Sequence, residues 1–221
     1  MESEENYYDH YKDSFEQQKN YIFKRDRYTI ALLAMVAVLS LRVVDIEEVN
    51  ENIQKIITQY VGNIHFNIKY IGVAVSYIFL WLIIQYYQVC LTIEKTYNYI
   101  HSIEKELSTG GKYKIEREGV NYLKSYPWLK SLTHRIYVFI FPIFFISIAF
   151  VCAKIECTCW VENGTNFPSI ISLIAYIINI LMSVLYLSNR WFHEEAFSRK
   201  SYPDIKWWKR ILFYFGIKKL P

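Results

Sequence analysis

Apolar residues gather in four blocks, 28–41, 70–93, 136–153 and 170–188, and polar residues fill the stretches between them. A helix needs about 20 predominantly apolar residues to cross a hydrocarbon core of about 30 Å. The last three blocks meet that length. The first is shorter, but Val43 and Val44 extend it, and Arg42 can snorkel from near its end. A buried core helix and a signal peptide are the competing readings of this block. The mostly polar residues before it, and the lack of a small-residue cleavage site after it, argue against a signal peptide. The pattern therefore predicts an all-α integral membrane protein with four transmembrane helices.

The polar stretches carry patterns of their own. In residues 1–27, Tyr8, Tyr11, Phe15 and Ile22 fall close to helical spacing, which predicts a cytoplasmic amphipathic helix running into the first span. It either packs under the bundle or lies on the inner leaflet. Between the first two spans, in 45–69, Val49, Ile53, Ile56, Ile57, Tyr60 and Ile64 predict a surface helix at the outer interface. After the second block, Ile93, Tyr97, Ile100, Ile103 and Leu107 continue a helical stripe, and no breaker intervenes before Ser108. One helix over 70–107 would be about 57 Å long, far more than a bilayer needs. It must project into the cytoplasm.

Ser108 to Gly111 supply a turn, Ile115 to Leu123 start a return, and Pro127 checks it before the third span. Residues 94–135 thus read as a long cytoplasmic helical hairpin between the second and third transmembrane helices. Its stripe is expected to pack on its own return arm or on a neighbouring subunit, and it is the natural place to recruit a cytoplasmic protein partner.

Within the fourth block, Ser172, Tyr176, Asn179, Ser183, Tyr186 and Arg190 recur at alternating steps of four and three residues, so they share one helical face. An unpaired amide in hydrocarbon costs several kcal/mol, so Asn179 must face protein or water. Three arrangements satisfy it: packing inside one subunit, a seam between copies, or a water-lined pore made by several copies.

Charge orients this frame. Of the 25 lysines and arginines, 21 lie in 1–27, 94–135 and 190–221; the others are Arg42, Lys55, Lys69 and Lys154. Positive charge is retained on the cytoplasmic side, which places both termini and the hairpin inside and 45–69 and 154–168 outside. The expected location is the inner (plasma) membrane. The net charge of +4 follows from this topology and from contact with lipid headgroups, and it does not indicate nucleic-acid binding. In the tail, 189–221, Trp207, Trp208, Phe213 and Phe215 alternate with Lys206, Lys209, Arg210, Lys218 and Lys219, as in an interfacial helix.

Cysteines add one expectation. Cys152, Cys157 and Cys159 cluster at the outer end of the third span, where Cys152 with Cys157 or Cys159 would close a short disulfide loop, while Cys90 lies alone. Three thiols with His65 as the only nearby histidine make a poor zinc site, so no metal and no cofactor are expected. Asn163, Gly164 and Thr165 match the glycosylation pattern on the outer side.

Motifs for catalysis are missing: the chain has no Gly-rich phosphate loop, no HExxH and no GxSxG. Glu104, Glu116, Arg117 and Glu118 with His101 and His134 form the nearest polar cluster, and on a charged hairpin they read as a solvated face. No ionisable residue sits clearly at mid-span, which argues against an ion-coupled carrier and leaves no enzyme expected.

The stretches YNYIHSIEKEL (97–107), REGVNYLKSYP (117–127) and HRIYVFIFPIFF (134–145) resemble a pattern in small four-span bacterial membrane proteins of accessory loci. The layout is also similar to membrane subunits of antiphage systems such as Kiwa. The polar face of the fourth block leads to an oligomeric membrane effector or sensor that perturbs or monitors the bilayer, with pore formation one form of that action, and the resemblance in layout implies a bacterial antiphage system as its setting. The alternative is a scaffold subunit that recruits a cytoplasmic partner through the hairpin.

Overall fold

The computed structural model describes residues 2–44, 55, 59, 68–110, 132, 133, 135–163 and 167–201. The return arm after Gly110, most of the outer segment 45–69, and the tail beyond Ser201 lie outside them, as do Glu116, Arg117, Glu118 and His134. The described chain is all-helical. It comprises α1 (Glu2–Val44), α2 (Ile68–Gly110), α3 (Phe141–Asn163) and α4 (Phe167–Ser201). Three stretches, Tyr70–Glu106, Ile136–Val161 and Phe167–Trp191, are long and apolar enough to cross a membrane.

Missing breakers explain the helix lengths. α1 and α2 each run for 43 residues, about 65 Å, because neither contains a proline. The amphipathic start of the chain and the first apolar block are therefore one helix, and α2 extends slightly beyond the expected 70–107. Two boundaries differ from expectation by ten residues or more. Residues 154–163, expected in an outer connection, continue α3, since no glycine or proline interrupts them before Gly164. Residues 189–201, expected in the tail, continue α4 for the same reason. At its other end α4 carries Pro168 in its first turn, where a missing N–H costs nothing.

A wide π turn, Ile136–Ile140, leads directly into α3. The second residue of α3 is Pro142, which cannot donate a backbone hydrogen bond and whose ring crowds the carbonyl four residues earlier. Widening the preceding turn relieves that crowding.

The helices pack as two units: the first draws on α1, α2, the π turn and α4, the second on all four helices. The first gathers Met1–Asp26, Tyr87–Ile140 and Ser188–Pro221; the second gathers Arg27–Tyr86 and Phe141–Leu187. In the second unit every helix presents a buried stripe at steps of three and four residues: Thr29, Leu32, Val36 and Leu39 on α1; Ser76, Phe79, Ile83 and Tyr86 on α2. Pro142, Phe145, Ala149 and Cys152 form the stripe on α3. This alternation averages 3.5 residues, the repeat of side chains interlocking between neighbouring helices. Phe145 is the hub. Its ring meets Phe79, Tyr86 and Phe141 at centroid distances of 6.4, 5.9 and 6.0 Å, two edge-on and one stacked. Such pairs contribute about 0.5–1.5 kcal/mol each beyond their burial.

Candidate functional site

The polar stripe of α4 lies on a covered face. In the second unit Ser172, Tyr176, Asn179, Ser183 and Tyr186 are all buried, Asn179 to 1% exposure, whereas Ile174, Ile177, Leu181 and Leu185 on the opposite side are exposed. The apolar side of this helix faces outward and its polar side faces its own chain. Other buried or partly buried hydroxyls here, Ser40 and Ser76, donate to carbonyls of their own helices, at Val36 and Val73. Asn179 makes no hydrogen bond among the described residues through either its amide nitrogen or its oxygen. An amide so placed costs about 1–3 kcal/mol.

Arg190, the last member of the stripe, belongs to the first unit. It is buried and forms an ion pair with Glu94 of α2. Arg190 is the more deeply buried of the two, and a buried charge is favourable only where an opposite charge such as the Glu94 carboxylate faces it.

The same unit covers the α2 stripe expected to form an interface. Ile93, Ile100 and Ile103 are buried, Tyr97 is half-buried, and the side chain of Leu107 lies outside the described residues. Ile100 and Ile103 cluster with Tyr11, and Phe15 packs against them, so the element that covers this part of the stripe is the start of α1. Two hydrogen bonds fix the pairing: the Tyr11 hydroxyl donates to Glu104 Oε1 at 2.9 Å, and His10 Nε2 meets the Tyr99 hydroxyl. Glu104 is thereby corrected from a solvated residue to a buried one, since it lies one turn beyond Ile100 on the covered face. His101 stays half-exposed.

No protein family, curated protein or solved structure matches the chain. The site is accordingly understood from its own geometry.

Sequence reasoning missed Gln18. It is buried on α1, one turn after Ser14 and two turns after Tyr11, and neither end of its amide has a hydrogen-bond partner among the described residues. The steps from Tyr11 to Ser14 to Gln18 are three and four, and that spacing was the available signal. Arg25 was also missed. Its Nε and Nη2 both donate to Asp26 Oδ1, at 3.0 and 2.8 Å, and its guanidinium lies 4.2 Å from the Tyr137 ring centre. Burial lowers its pKa, but the hydrogen bond and charge of Asp26, with Cys90 and Tyr137, outweigh that and leave it above the ordinary arginine value. It stays charged throughout the working pH range.

The expected disulfide does not form. Cys152, Cys157 and Cys159 all lie on α3 and none is in a disulfide. Residues five and seven apart on a helix are separated by rises of about 7.5 and 10.5 Å, beyond the reach of a disulfide. Cys90 lies on α2 and is likewise not bridged.

Proposed function

We propose that the chain is a four-span protein of the inner (plasma) membrane, with both termini inside, that acts as a membrane sensor or effector whose polar seam is internal to each copy. The observation that carries this reading is the burial of the α4 stripe within one chain. The helical segments of the second unit are 18, 19, 23 and 21 residues long, roughly 27 to 35 Å, which suits a bilayer. Residues 28–41, 70–86, 141–153 and 167–187 hold no charged side chain. α1 supplies the fourth span: Leu32, Val36 and Leu39 face protein, while Ile30, Leu33, Val38 and Leu41 are exposed as lipid-facing residues would be.

Covering of the α2 stripe by α1 disfavours the scaffold alternative, because Ile100 and Ile103 are not open to a separate partner. The face of α4 open to a second copy is the exposed one of Ile174, Ile177, Leu181 and Leu185. The resemblance to antiphage membrane subunits supplies the biological setting, bacterial defence.

Topology is tested by cysteine labelling in a background without the four native cysteines. Ser108→Cys is expected to react only after the inner face is opened, and Asn163→Cys from outside intact cells; labelling of both from one side overturns the four-span arrangement. The seam is tested by bilayer recording and growth on expression. Asn179→Leu is expected to leave any conductance and growth effect of the wild type unchanged and to alter stability by about 1 kcal/mol. A wild-type conductance that Asn179→Leu abolishes would instead make the stripe a pore lining.

A further inference from the structure

We propose that the second unit holds a water-binding site at Asn179, within a single copy of the chain. This deepens the reading of the α4 stripe as an internal seam. The carrying observation is a side chain 1% exposed whose amide nitrogen and oxygen both lack a hydrogen-bond partner among the described residues. An amide offers two donors and an acceptor oxygen, and buried groups of this kind are almost always satisfied by protein or ordered water.

Among the described residues no protein group satisfies this one, and the neighbouring chemistry suits water. Tyr176 precedes Asn179 by three residues and Ser183 follows by four, and both are buried on the same helical face. Such positions stand about 5–6 Å apart between Cβ atoms, a spacing that one water can bridge between an amide and a hydroxyl. A buried water needs two to four polar partners, and Asn179 with these two hydroxyls provides them. Bulk solvent and permeating ions are disfavoured as occupants: Ala175 on the same helix and Phe79 and Ala149 on its neighbours are fully buried apolar residues of this unit, and residues 167–187 carry no charge to coordinate an ion. The site takes one or a few ordered waters, held as part of the fold.

Water-edited solid-state NMR on the full chain in lipid vesicles, with asparagine side chains labelled with nitrogen-15, tests this. The Asn179 amide signal is identified by its loss in Asn179→Leu, or in Asn179→Ser if the leucine variant fails to fold. Magnetisation transfer from water to that signal is expected at short mixing times, and Ser183→Ala is expected to weaken it by removing a bridging hydroxyl. An Asn179 signal that is present but receives no more transfer than side chains buried among apolar residues would overturn the site. That result is independent of the conductance assay, so failure here leaves the internal seam standing, whereas loss of conductance in Asn179→Leu removes the seam itself.

Discussion

Ile100→Asp is expected to detach the start of α1 from α2 while leaving membrane insertion intact. Ile100 is fully buried and clusters with Tyr11 and Ile103. Truncating it forfeits packing of about 2–5 kcal/mol. The new carboxylate is buried without a partner and sits four residues before Glu104, a like charge on the same helix face. The combined loss exceeds about 4 kcal/mol, a size reserved for such core defects. Hydrogen exchange over residues 8–26 reads the detachment, and resistance to carbonate extraction reads insertion. Ile100→Val should cost only about 1 kcal/mol and keep the protection. Unchanged protection in the aspartate variant would show that the Tyr11 and Glu104 hydrogen bond holds the pair without the apolar cluster.

Glu94→Gln carries the next largest effect. It leaves Arg190 buried without its carboxylate, and breaking a buried pair costs about 3–5 kcal/mol. The lower end applies here, because the Glu94 side chain retains 27% exposure and solvent screens part of the charge. Combining Glu94→Gln with Arg190→Leu should recover most of the loss, since an apolar replacement removes the stranded charge. Thermal unfolding of purified protein in detergent measures both, and a double variant no better than the single one would assign the effect to packing around Arg190.

Much of this architecture was legible because apolar blocks and uninterrupted helical stripes need no knowledge of their neighbours. α2 and the stripe of α4 are examples: their side chains recur at the helical period and no proline or glycine stops them. Lys154 misled because a charge after an apolar block resembles a loop, yet lysine is a good helix former and the breaker comes only at Gly164. The cysteine expectation failed with it, since a loop would have brought the thiols together and a helix holds them apart.

Pattern also shows which face of a helix is apolar without showing what covers it. The cover of Ile100 is Tyr11, 89 positions earlier in the chain, and the burial of Glu104 depends on that distant hydroxyl. Gln18 hid for a related reason. A polar residue on a buried stripe looks like the end of the stripe unless the three-and-four spacing is followed through it.

The side chains that face inward on α4 also bear on how the protein is made. α4 follows the other three helices in the chain, so in the proposed topology it enters the bilayer after them. Until it docks, Asn179 and its neighbouring hydroxyls meet lipid, where polar groups are costly. Docking hides them. In that topology an undocked α4 would differ from a docked one by the polarity it exposes, a difference that is silent in the finished fold.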